Sequence, residues 1–238
     1  MKRKGIPGVF VLAIFFSTLA SPLPAAQLSV EVTNLTHGIY FTPLLITAHD
    51  NATHLFQGGA TGTSTLRLMA ECGDISGLVG DLGGEDADTV ANPAGGLLAP
   101  GMKTVASIDT TSTGNTHLSL VGMLLPTNDG FVGADSLEIP EIPSTYVFYL
   151  NGYDAGTEAN SELLDTSGCT PGMPGMPAAP GGDAGTGGTG VASTDSNPSV
   201  HIHRGNLGDT DTSGGISDVD SRIHRWLNPV AKVVITVQ

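Results

Sequence analysis

Short stretches in which strand-forming residues alternate with polar ones or cluster together recur along the chain, and this pattern constrains the fold more than any other feature. In Leu28-Ser-Val-Glu-Val-Thr the apolar residues occupy alternate positions, as in a strand that buries one face. Gly, Pro, Asn and Asp separate such stretches, and strands do not alternate regularly with helices. The pattern predicts an all-β protein, an antiparallel β-sandwich. The predicted strands are 28–34, 42–48, 103–109, 117–125, 146–151 and 230–237.

One segment has helical periodicity instead. Leu66, Met69 and Ala70 recur at helical spacing within residues 64–72, and Gly73 follows as a stop signal. The sandwich is therefore expected to carry one or two short helices.

A Gly- and Pro-rich stretch lies in the second half of the chain. Residues 168–190 contain nine Gly and four Pro, with no aromatic residue and no aliphatic side chain larger than Met. Such a segment cannot bury enough apolar surface to order itself. We predict a long disordered loop insert over 168–195, within one domain that spans 27–238.

The first 26 residues have the pattern of a secretory signal peptide. Three basic residues precede a short apolar run, and small residues surround the expected cleavage point. The run is shorter than the ~20 residues that a membrane-spanning helix needs, so no transmembrane anchor is expected. The mature protein is predicted to be secreted to the extracellular space, or to the periplasm if the host is a Gram-negative bacterium.

The charge balance is strongly acidic. Asp and Glu number 23 against nine Lys and Arg, which gives a net charge of −14. Removal of residues 1–26, which hold three basic and no acidic side chains, makes it −17. This sign argues against nucleic acid as a partner and favours cations.

Export bears on the two cysteines, Cys72 and Cys169. An oxidising compartment would let them form a disulfide. Two free, buried thiols are the alternative, because Cys169 opens the Gly- and Pro-rich stretch.

Two acidic clusters each follow an apolar strand. Asn128 and Asp129 come after 117–125, and Asp154 and Glu158 come after 146–151. If the two strands are neighbours, the carboxylates meet at one rim of the sandwich. On residue types alone, capping of turns by these side chains explains them as well.

The segments that carry these acids resemble the spondin domain, the N-terminal module of a family of extracellular-matrix proteins. The motifs are Pro-Thr-Asn-Asp-Gly-Phe-Val-Gly within 123–140 and Tyr-Asp-Ala-Gly-Thr-Glu within 153–162. Residues 66–74 and 224–233 are similar to other parts of bacterial single-domain members. The resemblance covers about 27–238.

The resemblance implies a C2-like β-sandwich that binds one calcium ion at a loop end. Carried over position by position, the metal ligands are Asp129, Asp154 and Glu158. Glu158 departs from the vertebrate Asp by one methylene, which calcium tolerates because its coordination is flexible. The implied function is a non-catalytic adhesion module whose partner is extracellular matrix, a cell-surface protein or a glycan.

A second acidic pattern lies near the C-terminus. Asp209, Asp211, Ser213 and Asp220 fit the register of an EF-hand loop, with Asp in place of Glu at the last position. No convincing helix enters this loop, so a solvated acidic loop is the favoured interpretation and a weak second metal site is the alternative.

His201 and His203 would point to the same face of one strand, as in some zinc or copper sites. This pair, or the acidic rim, could serve a secreted metal-dependent hydrolase, which is the alternative function. The sequence has no Gly-x-Ser-x-Gly, no His-Glu-x-x-His and no phosphate-binding Gly loop. We therefore expect a protein that is not an enzyme.

Overall fold

A computed structural model describes residues 26–83, 86–165, 169–180, 185–194 and 196–238. The predicted signal peptide lies outside these residues, apart from Ala26. In chain order the strands and helices are β1 (Gln27–Asn34), β2 (Tyr40–Phe41), β3 (Leu45–His49), α1 (Ser64–Cys72), α2 (Ser76–Leu82), β4 (Asp88–Ala91), β5 (Lys103–Asp109), β6 (His117–Leu125), β7 (Gly130–Glu138), β8 (Thr145–Asp154), β9 (His201–Ile202), α3 (Ser221–His224) and β10 (Ala231–Val237).

All strand pairs are antiparallel and follow the order β4-β3-β6-β7-β8-β10-β1-β5. The short strands β2 and β9 add to β6 and β8. The end strands β4 and β5 lie beside each other in space, so the sheet curls into a nearly closed, sandwich-like body. The prediction of an all-β fold is confirmed, and the described residues form three short helices where one or two were predicted.

Alternation along the strands sorts side chains between the core and solvent. In β1, Leu28, Val30 and Val32 are buried while the residues between them are partly exposed. Strands β6 and the first half of β7 are buried on both faces, because α1 and α2 cover the face turned away from the main core. This second layer holds the loops at the acidic end of β7 and β8 in place.

Helix α1 has the bounds that the sequence predicts. Thr63 caps its first turn by accepting a hydrogen bond from the Leu66 amide at 3.0 Å, and Gly73 ends it in the left-handed conformation with φ of 69°. A Cβ atom at position 73 would lie 2.7 Å from Cγ2 of Thr42, so glycine is also required sterically. Leu66 and Met69 bury the apolar face of the helix.

Strand β7 was absent from the predicted strands. Its sequence, GFVGADSLE, contains two glycines and does not alternate regularly. Gly133 is needed because a Cβ atom there would lie 2.7 Å from the Phe56 ring. Because this ring approaches the backbone closely, the position requires glycine, and the glycine interrupts the sequence pattern that predicts a strand.

The described part of the Gly- and Pro-rich insert contacts the sandwich. Cys169 forms a disulfide with Cys72, with the two Cα atoms 5.5 Å apart. Met176 is fully buried and forms an isolated bridge with Leu164. Disorder over 168–195 stays a prediction. None of the described helices is long and apolar enough to cross a bilayer.

Candidate metal site at the end of β7 and β8

Two buried aspartates meet where β7 begins and β8 ends. Gly130 pairs with Asp154 in the β7–β8 ladder, and Asp129 immediately precedes Gly130. Ala155 donates its amide to the carbonyl of Asp129 at 3.2 Å, which fixes the two turns against each other. The structure therefore brings the first two sequence-predicted ligands to one rim.

Asp129 is fully buried, and only one of its two carboxylate oxygens accepts hydrogen bonds. Its Oδ2 accepts amide hydrogen bonds from Thr157 at 2.8 Å and Glu158 at 3.1 Å. Its Oδ1 is buried without a hydrogen-bond partner. Burial, and then the negative charge of Asp154, raise the pKa of Asp129 to about 8. In the absence of a cation the site thus opposes ionisation of this carboxyl.

Asp154 is held by its own turn. Its Oδ1 accepts the amide of Gly156 at 2.9 Å, and its Oδ2 accepts the side-chain amide of Asn160 at 2.7 Å. Gly156 is left-handed, with φ of 68°, and a Cβ atom there would lie 2.6 Å from the backbone of Pro198. Glycine is therefore needed for the turn that orients Asp154.

Glu158 lies beside this pair but faces other groups. Its Oε1 accepts hydrogen bonds from the side-chain amide of Asn128 at 2.7 Å and the amide of Gly175 at 2.6 Å, while its Oε2 is buried without a partner. Burial raises the pKa of Glu158 to about 7, and the charges of Glu71 and Asp165 add to the effect.

These carboxylates match a hard divalent cation in chemistry. Calcium prefers oxygen ligands and accepts six to eight of them in flexible geometry. The unpartnered oxygens of Asp129 and Glu158 are available for such an ion. Within the described ranges, no three His, Cys, Asp or Glu side chains already surround a common point. The structure thus provides a pair of aspartates with a third carboxylate beside it.

The carboxylates of the second acidic pattern mostly accept hydrogen bonds from residues of their own loop. Asp209 accepts amide hydrogen bonds from Asp211 at 2.9 Å, Ile216 at 2.7 Å and Ser217 at 3.0 Å. Asp211 accepts the amide of Ser213 at 3.0 Å. Asp220 caps α3 and accepts Nε of Arg222 at 2.9 Å. A weak metal site at Asp209, Asp211, Ser213 and Asp220 stays a prediction.

The two histidines occupy different environments. His203 is buried against Trp226, with ring centroids 5.0 Å apart, and its Nδ1 accepts the amide of Gly205 at 2.9 Å. Burial lowers the pKa of His203 to about 3. His201 is partly exposed, and its Nε2 lies 3.8 Å from Oδ2 of Asp154. His203 is therefore neutral and packed in the core.

Sequence reasoning missed two buried glutamates near this rim. Glu71, on the last turn of α1, accepts the amide of Gly172 at 2.6 Å. Glu162 accepts the amides of Leu207 at 2.7 Å and Gly208 at 2.8 Å and the hydroxyl of Ser217 at 2.8 Å. Their partners are distant in the chain, so no local pattern marks either residue.

Comparison with known proteins identifies one family. The sequence model described as Spondin_N, the spondin N-terminal domain, matches residues 33–171. This range contains Asp129, Asp154 and Glu158 and ends before the second acidic loop. No curated protein matches the chain.

Proposed function

Because the chain belongs to the spondin N-terminal domain family, we propose that it is a secreted, non-catalytic module that binds calcium and mediates extracellular adhesion. The calcium ligands are Asp129 and Asp154, with Glu158 completing the carboxylate set. Backbone carbonyls and water supply the remaining oxygens, since three side chains are too few for calcium.

The observation that carries this proposal is the unpartnered, buried Oδ1 of Asp129 beside the charge of Asp154. Two ionised carboxylates in a buried site repel each other strongly, and a divalent cation relieves both the repulsion and the missing hydrogen bond. An aspartate that only capped a turn would be expected to keep its second oxygen in contact with water. Oδ1 of Asp129 is instead buried without a hydrogen-bond partner.

Calcium bound here would join the β6–β7 turn to the segment after β8. Asp129 precedes β7, and its Oδ2 already holds the amides of Thr157 and Glu158. An ion on Asp129 and Asp154 would therefore stiffen one rim of the sandwich. Extracellular matrix, a cell-surface protein or a glycan are the partner classes; the acidic surface does not suit nucleic acid.

The hydrolase alternative has less support. It needs His201 and His203 to act together on a metal or a substrate. His203 is instead a core residue with its Nδ1 occupied, and His201 alone approaches the carboxylate pair.

Thermal melting with and without calcium tests the proposal. We expect calcium to raise the Tm of the secreted protein well above its value in EDTA. Asp154→Asn should abolish the difference, while Asp81→Asn, at an exposed position on α2, should keep it. Equal melting of the wild type in calcium and in EDTA would refute calcium binding. A pull-down from extracellular material, with and without calcium, then identifies the partner class.

A further inference from the structure

The first half of β8 is an open edge of the curled sheet. Residues 145–150 pair with β10, whereas β7 and β9 pair only with the second half of the strand, within residues 151–154. Within the described ranges, no other strand pairs with residues 145–150, and no loop backbone bonds to their side away from β10. The backbone groups on that side therefore depend on solvent or on another chain for hydrogen bonds.

The register identifies these outward-facing groups. Val237 donates its amide to the carbonyl of Ser144 at 2.9 Å, so this pair is hydrogen-bonded. Hydrogen-bonded and non-hydrogen-bonded pairs alternate along an antiparallel ladder. The amides and carbonyls of Thr145, Val147 and Tyr149 consequently point away from β10. An added strand can bond to all three residues.

The side chains along this edge are uncharged and favour strands. Val147 is 51% exposed and Tyr149 is 62% exposed. Tyr146 and Phe148 face the main core but are only partly buried. Residues 145–150 include no charged side chain and no proline. Such an edge pairs readily with another strand, and natural proteins normally block it with charge, proline or a covering segment.

The edge formed by β5, on the other side of the same four strands, is blocked in this way. Two of the four exposed side chains of β5, Lys103 and Asp109, are charged. Strand β4 also lies beside β5. Pairing of β8 in one copy with β5 in the next is therefore opposed, which excludes a head-to-tail chain of copies. The open edge of β8 is left to pair with the same edge of a second copy.

This edge is complementary to itself. In an antiparallel pair with a two-fold axis at Val147, that residue lies opposite its own copy. Thr145 then lies opposite Tyr149, and Tyr146 lies opposite Phe148. Aromatic and β-branched residues are the facing pairs that stabilise sheets. No acidic side chain on this edge opposes another, although the chain as a whole is acidic.

We propose that two copies of this chain pair antiparallel through residues 145–149 of β8. The strands β5, β1, β10 and β8 of each copy would then form one continuous sheet, and the contact would close at two copies. Because β8 leads from this edge to Asp154, the dimer would present the two acidic rims on opposite sides of its axis. The contact uses no carboxylate of either rim, so it stands or falls apart from the function proposed above.

Sedimentation equilibrium of the full secreted protein tests the pairing. We expect the wild type to be a dimer at about 100 μM. Val147→Lys places two ammonium groups opposite each other at the axis and should weaken association at least about tenfold, as should Val147→Asp. An equimolar mixture of these two variants should associate again, because an ammonium then faces a carboxylate. Val105→Lys on β5 is the matched control, since Val105 is 50% exposed, and should associate as the wild type does.

Other results contradict the proposal. A wild type that stays monomeric up to about 100 μM refutes it and leaves the edge to a strand of a different protein. A dimer that survives both substitutions of Val147 uses another surface, and a mixture that stays monomeric rules out the axis at this residue. Hydrogen exchange of the wild type decides the matter even if a variant fails to fold. The amide of Val147 should exchange more slowly as protein concentration rises, while that of Val105 should not change; an unchanged rate at Val147 refutes the pairing.

Discussion

Replacing Asp129 by Asn should stabilise the fold in EDTA and destabilise it in calcium. In EDTA the fold holds a buried carboxyl whose ionisation is opposed by desolvation and by Asp154. An Asn side chain is neutral, its oxygen can still accept the amides of Thr157 and Glu158, and its NH₂ can fill the position of the unpartnered Oδ1. The variant should therefore be more stable than the wild type without metal and less stable with it.

The magnitude follows from the pKa of Asp129, which is raised from 3.8 to about 8. Each pKa unit corresponds to about 1.4 kcal/mol, so ionisation of Asp129 lowers the free energy of unfolding by at most roughly 6 kcal/mol. Relaxation of the fold reduces this value, and we expect Asp129→Asn to gain about 2–4 kcal/mol at pH 8 in EDTA.

The direction of the pH dependence is fixed by the sign of the shift. The folded-state pKa lies above the unfolded value, so the carboxyl contributes its stability fully below about pH 4 and loses it as the pH rises towards 8. In EDTA the unfolding free energy of the wild type should fall across this window, by at most about 1.4 kcal/mol per pH unit from this group. Asp129→Asn should lack that component of the slope.

Urea unfolding at several pH values, followed by the fluorescence of Trp226, measures this directly, because Trp226 is the only tryptophan and is buried. Asp81→Asn is the exposed control and should follow the wild type. The reasoning is refuted if Asp129→Asn is no more stable than the wild type in EDTA at pH 8, or if both lose stability equally between pH 4 and pH 8.

Two further predictions concern stability alone. Replacing Cys72 and Cys169 together by Ala should lower the unfolding free energy by about 4 kcal/mol, because their bond closes a loop over a sequence separation of 97 residues; a change below 1 kcal/mol in urea titrations would contradict it. Gly152→Ala should cost more than about 2 kcal/mol, because a Cβ atom there would lie 2.5 Å from Cη2 of the packed Trp226. Gly80→Ala, on α2 where a Cβ atom meets nothing within 4 Å, is its control and should not be destabilised.

The sequence determined the class of fold and the identity of one acidic rim. Alternation of apolar residues is a local property with a period of two, so it predicted β1, β5 and β10, whereas β6 was predicted from a cluster of apolar residues. The lack of regular alternation between strands and helices argued against an α/β fold. The helical spacing and the stop signal of α1 are equally local, and its bounds are confirmed. The resemblance to spondin domains named Asp129, Asp154 and Glu158.

Only the tertiary structure decided which of these carboxylates lie close together. Asp129 and Asp154 meet because β7 pairs with β8, and β7 was hidden by the glycine that makes room for Phe56. Glu71 and Glu158 lie far apart in the chain, yet both accept an amide hydrogen bond from the segment that the disulfide attaches to α1. A contact between distant segments depends on strand order and on which face a helix covers. A local sequence pattern contains no information about strand order or about the face that a helix covers. The proximity of these carboxylates therefore follows only from the tertiary structure.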